Sequence, residues 1–189
     1  MIDPTDYAAV FGGLPVPAPL QALMRFQNER GDEPYSSALR LARCDRAGLA
    51  RGWCSDQEFL SRLIPIARAG ASASFYALWD PDPSREPAPE RWPVVAFGEE
   101  GGEWVVARDV RELLRLSSCD LAPRIDFDRV HYDRSEHHHR KSAGLEAYVD
   151  WLRVQQQLAP VEDADPILKA AQLQWQSDFE AWIHRFLQG

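Results

Sequence analysis

Chemistry in this chain would have to use the few places where reactive residue types gather. His137, His138 and His139 stand in a row beside Glu136, with His131 nearby. These types bind zinc, but consecutive side chains leave a strand or a helix in different directions. Working zinc sites instead use i, i+2 or i, i+4 spacing to converge on one ion. The triplet therefore reads as a solvated loop, and a small metal-dependent enzyme using His131 and His137–His139 is the weaker of the readings. Asp126-x-Asp128 lacks the glycine and the distal glutamate of a calcium loop. No metal or other cofactor is expected.

Glu99, Glu100 and Glu103 are the other cluster. Paired carboxylates do acid and base work only where burial separates their pKa values, and an exposed glycine turn does not bury them. Gly98-x-x-Gly101-Gly102 is not a phosphate loop, because no Lys-Ser/Thr follows and no helix begins directly after it. There is no G-x-S-x-G elbow, and Cys44, Cys54 and Cys119 show no C-x-x-C spacing. The expectation is a chain that is not an enzyme.

The elements that would carry these residues are legible in outline. Leu20, Leu23, Met24 and Gln27 repeat at helical spacing within 17–28, ahead of Gly31. Leu39 and Leu41 flank Arg40 as in a half-buried strand. Ser55-Asp-Gln-Glu58 has the form of a capping box, and Phe59, Leu60, Leu63 and Ile64 predict a helix ending near Pro65. Gly70–Ala73 reads as a flexible link. In Phe75-Tyr-Ala-Leu-Trp79, residues 75, 77 and 79 point one way and 76 and 78 the other, all apolar, as in a central strand. Pro81, Pro83, Pro87 and Pro89 make an exposed loop. Runs 93–97 and 103–107 flank the glycine turn as an antiparallel hairpin. Asp109 then caps a helix with Val110, Leu113 and Leu114 on its apolar stripe. Residues 121–141 read as a surface loop with a short strand near 126–132. The last third is helical, with Asp165-Pro166 starting a helix whose Phe179, Trp182, Ile183, Phe186 and Leu187 fall on one face. Most of the tryptophans, Trp79 included, lie on apolar stripes that belong in a core. Trp53 and Trp92 sit at element edges, where a partner could be anchored.

At 189 residues one domain is expected, and 45% apolar with 26% charged residues is ordinary globular composition. No apolar run approaches the ~20 residues that cross a bilayer, and the acidic start MIDPTDYAAV is unlike a signal peptide. A cytoplasmic chain with no membrane partner is expected. A net charge of −8 argues against nucleic acid, whose binding relies on Lys and Arg replacing condensed counterions, and is compatible with a basic protein.

Phe75-Tyr-Ala-Leu-Trp79, Pro93-Val-Val-Ala-Phe-Gly98-Glu-Glu-Gly101 and Val105-Val-Ala107 leading to Asp109-Val-Arg-Glu-Leu-Leu114 together resemble the SMI1/KNR4 (SUKH) superfamily. Leu14-Pro15, followed by a helix ending in Phe26-Gln-Asn28, resembles that family's opening. The match covers about half of the chain. Gly70-Ala-Ser-Ala73 is less glycine-rich than the family's approach to the aromatic strand, and the opening helix carries extra residues.

The resemblance implies an α+β fold, a mainly antiparallel sheet flanked by helices. It also implies a single domain over 1–189, with a core at about 10–120 and a C-terminal helical extension at about 142–188. Bacterial members are implicated as immunity proteins that neutralise a toxin encoded nearby. The resemblance thus implies a non-catalytic protein-binding module with a toxin partner, a basic nuclease type fitting the charge, and a monomer or weak homodimer. A regulatory scaffold for endogenous proteins, as in fungal relatives, is the alternative. Recognition is placed at loop tips beside a rigid sheet, which selects Trp79, Asp80, Trp92, Glu99 and Glu100 as contact residues.

Overall fold

A computed structural model of the chain describes residues 1–42, 46–132 and 141–187. Its centre is a sheet of β1 (Leu39–Leu41), β2 (Leu63–Ala69), β3 (Phe75–Trp79), β4 (Val94–Phe97) and β5 (Glu103–Ala107). They pair in chain order, each neighbour antiparallel. A second hairpin joins β6 (Pro123–Ile125) and β7 (Val130–Tyr132). Around the sheet lie α1 (Pro4–Ala9), α2 (Ala18–Arg30), α3 (Arg46–Gly52), α4 (Gln57–Ser61), α5 (Val110–Leu116), α6 (Leu145–Val154) and α7 (Asp165–Leu187). The architecture is α+β, a mainly antiparallel sheet flanked by helices. Among the described residues no helix is long and apolar enough to cross a membrane.

Both faces of the sheet are buried, which is why β3 and β4 are apolar at every position. On one face Ile64, Ile66, Tyr76, Leu78, Val94 and Ala96 meet α2, α5 and α6 through Leu20, Leu23, Leu113, Leu114, Tyr148 and Leu152. On the other, Leu63, Ala77, Trp79, Val95, Phe97 and Val105 meet α3, α4 and α7 through Leu49, Phe59, Phe179, Trp182 and Ile183. The alternation expected of β3 is thus present: Ala77 and Trp79 serve one core, Tyr76 and Leu78 the other. Helix α7 starts against the first core with Ile167 and Leu168 and continues along the second from Ala171 onward. It is a wall of the core.

The helix expected to run from Ser55 to Ile64 is one turn long. Asp56, not Ser55, is the cap, its Oδ1 accepting from the amides of Glu58 (2.7 Å) and Phe59 (3.3 Å). Leu63 and Ile64 already belong to β2, and they face opposite cores as neighbours on a strand must. Pro65, read as a helix stop, sits inside β2, where the register with β3 shifts between Pro65 and Ala67. An irregularity in the ladder is where a residue with no N–H is tolerated. Gly70 opens the turn into β3 at φ +81° instead of lying in a flexible link. The capping expected of Asp109 is present at 2.8 Å to the Glu112 amide, while the Glu112 carboxylate reaches the Arg108 amide at 2.9 Å.

On each outer edge of the sheet a glutamine takes backbone groups of the edge strand. On β1 the Gln27 side chain accepts from the Leu41 amide (2.9 Å) and donates to the Leu41 carbonyl (3.0 Å), imitating one rung of a neighbouring strand. The Tyr35 hydroxyl donates to Gln27 Oε1 at 2.8 Å and holds it there. On β5 the Val105 amide donates to Gln176 Oε1 of α7 at 2.8 Å.

Candidate functional site

The site grows from the β4–β5 turn. Gly98 N–H donates to the Gly102 carbonyl at 2.9 Å, and Gly101 and Gly102 take φ +112° and +88°, a region glycine enters without steric penalty. Space is the second constraint. A Cβ on Gly98 would stand 2.2 Å from the Gly101 carbonyl oxygen, and one on Gly101 would stand 2.2 Å from the Phe127 ring. The β6–β7 turn therefore lies directly on the β4–β5 turn. Trp104 Nε1 fastens it there by donating to the Asp126 carbonyl at 2.8 Å.

Glu99 and Glu100 are both exposed on this turn but differ in role. The Ala73 amide donates to Glu99 Oε2 at 3.2 Å, and the Glu99 amide donates to Ser74 Oγ at 3.0 Å, so Glu99 clips the β4–β5 turn to the β2–β3 turn. Glu100 makes no such clip among the described residues. Below them is an open hollow of about 550 Å³ lined by Trp53, Phe75, Glu99 and Glu100. Its wall is stiff, because Phe97 stacks on Phe75 at 4.9 Å and meets Trp53 edge-on at 4.7 Å.

A second hollow of about 490 Å³ shares Gly52 and Trp53 with the first and continues to Glu103, Phe127, His184 and Leu187. Phe127 is 78% exposed although its ring covers Gly101. Burial pushes the Glu103 carboxyl above the usual glutamate range, with His184 opposing the shift and Glu180 adding to it. Together these residues present apolar surface ringed by carboxylates, which suits a partner that is both apolar and cationic.

Three of the expected contact residues lie elsewhere. Trp79 is 1% exposed and packs against Phe179 (5.1 Å) and Trp182 (5.6 Å) in the second core. The Arg62 guanidinium lies 5.6 Å from the Trp79 ring and 4.9 Å from that of Trp182. Asp80 is buried beside them: its carbonyl accepts from Arg62 Nε at 2.8 Å, and its Oδ1 from the Asp82 amide at 3.1 Å. Burial raises its carboxyl, with the Asp82 amide and Arg62 pulling the other way. Trp92 is 6% exposed and belongs to the first core. Strand ends and a short 3-10 turn here are roofed by neighbouring elements, so the two tryptophans at element edges still fill core, and Asp80 is sealed in beside Trp79 under Arg62.

His137, His138, His139, Glu136 and Cys44 lie outside the described residues. His131 is half-buried on β7, and among the described residues no group of three or more His, Cys, Asp or Glu is placed to hold a metal ion. Phe127 is the residue that periodicity missed, although a lone aromatic between Asp126 and Asp128 in a charged segment was its visible signal. Comparison of the chain with known families, curated proteins and solved structures returned no match.

Proposed function

We propose that this chain is a non-catalytic protein-binding module, an immunity protein that binds and neutralises a bacterial toxin of basic, nuclease-like type in the cytoplasm. One observation carries the reading: exposed Phe127 and half-buried Trp53 stand among Glu99, Glu100 and Glu103 at one rigid end of the sheet. Aromatic anchors on a stiff platform supply affinity at small entropic cost, and the surrounding carboxylates speed encounter with a cation and disfavour acidic competitors. The net charge of −8 supports a basic partner, and the resemblance of 75–114 to SUKH proteins supports a toxin as that partner. Glutamine side chains on both sheet edges support a monomer or at most a weak homodimer, since the Leu41 groups and the Val105 amide are already taken and do not invite strand-to-strand pairing.

Co-expression of the chain with the products of the genes beside its own tests the reading. One product should co-purify as a stable complex and should arrest growth when the chain is withheld. Failure of every neighbouring product to bind would overturn it.

A further inference from the structure

The two hollows at this end of the molecule meet at Gly52 and Trp53, and each is bounded by the same β4–β5 turn. They make one groove whose apolar contacts are Trp53, Phe75, Phe127 and Leu187. Its lining acids are Glu99 and Glu100 of the turn and Glu103 of β5; exposed Asp126 and Asp128 flank Phe127 in the β6–β7 turn, and Glu180 of α7 acts on Glu103 from beside it. His184 is the basic type among the lining residues, while Arg46 and Arg51 of α3, Arg124 of β6, Arg129 of the β6–β7 turn and Lys169 and Arg185 of α7 lie on the surrounding elements; in the lining itself three carboxylates face one imidazole.

The backbone restricts the shape of the occupant. An extended segment docks by adding to a sheet edge, which requires unpaired N–H and C=O groups. Here the Leu41 groups on β1 are taken by Gln27 and the Val105 amide on β5 by Gln176. A helix satisfies its own backbone and asks of its site only an apolar trough and complementary charge.

We infer that the groove receives one helix of a basic partner protein, whose leucine-type side chains seat between Trp53 and Phe127 and whose flanking Lys or Arg face Glu100, Glu103 and Asp128. This rests on the reading of the sheet end as a protein-binding surface. Phe127 is the central anchor because it is both exposed and backed by the glycine turn. Encounter is carried by charge, residence by the two aromatics.

The full chain, labelled with 15N, is titrated with a synthetic amphipathic helix of leucine and lysine, with its leucine–glutamate counterpart and with a lysine-only peptide. Saturable shifts are expected at the Trp53 indole and at the Gly101 and Phe127 amides for the leucine–lysine helix, with no binding of the glutamate counterpart. The lysine-only peptide should bind at least about tenfold more weakly. Phe127→Ala, whose side chain is mostly exposed, should keep the wild-type melting temperature and weaken the leucine–lysine helix about tenfold or more, as loss of an anchor does. Shifts that map elsewhere, undiminished binding by Phe127→Ala, or equal binding of the glutamate or lysine-only peptides would overturn the inference. Capture of a neighbouring gene product without binding of the leucine–lysine helix would overturn it while leaving the proposed function standing. The reverse result would remove the function and keep the groove.

Discussion

Glu99 and Glu100 are adjacent and alike in sequence, yet they make different experiments. Charge reversal at Glu99 also removes the carboxylate that accepts from the Ala73 amide, so a binding change there mixes electrostatics with a loosened turn. Glu100→Lys isolates the charge: association with a basic partner should slow by roughly two- to fivefold, with a shallower salt dependence and an unchanged melting temperature. Stopped-flow mixing at two ionic strengths measures it, and an unaltered rate would place the contact elsewhere. At Gly98 the constraint is steric. Gly98→Ala brings its Cβ against two carbonyl oxygens, those of Gly101 and Ile125, and should lower unfolding free energy in urea by about 2 kcal/mol or more. Glu103 titrates against the fold. Burial raises its folded pKa above the ordinary 4.5, so its favourable contribution is complete below that value and is lost as pH climbs through the raised one. Glu103→Gln should therefore be more stable than the native chain at neutral pH, and the gap should close on acidification; a constant difference across the range would contradict this.

At the scale of elements, the glutamines and α7 decide what the sheet can do. Gln27 is 4% exposed and serves the Leu41 amide, the Leu41 carbonyl and the Tyr35 hydroxyl together. Gln27→Leu leaves these groups without a partner inside the protein and should cost about 2–3 kcal/mol by chemical denaturation. Gln176→Leu uncovers one amide and should cost about 1 kcal/mol. If the two variants matched in stability, the closure of β1 would be no more than incidental contact. Helix α7 contributes Phe179, Trp182 and Ile183 to the second core, which makes the C-terminal third structural. Its last turn, with His184 and Leu187, also forms one bank of the groove. Packing and the proposed groove thus share an element.

Across the whole molecule, the five-stranded sheet separates two cores and leaves the proposed binding surface at an end instead of on a face. Helices cover each face, and at the edges glutamine side chains take the Leu41 groups and the Val105 amide. The place where the β4–β5 turn, the β6–β7 turn, α3 and the end of α7 converge is open. Long-range attraction by the net charge of −8 acts on any basic partner, so under the proposed function specificity is assigned to this short-range convergence.

Local chemistry determined much of the outline. The strand from Phe75 to Trp79, the hairpin on either side of the glycine turn, the Asp109 cap and the long apolar stripe ending in Leu187 were all legible, because period and turn residues act over a few positions. Leu63 and Ile64 were misread for the same reason: with Phe59 and Leu60 they fit a helical stripe, and only pairing with β3 made them a strand. Burial was likewise not local. Trp79 and Trp92 are sealed and Phe127 is exposed, although all three are aromatics near element ends, because exposure depends on which distant element arrives to cover them. The composition and turn chemistry of the docking end were written in the sequence; that Trp53, Glu103, Phe127 and His184 share it was decided by long-range packing alone.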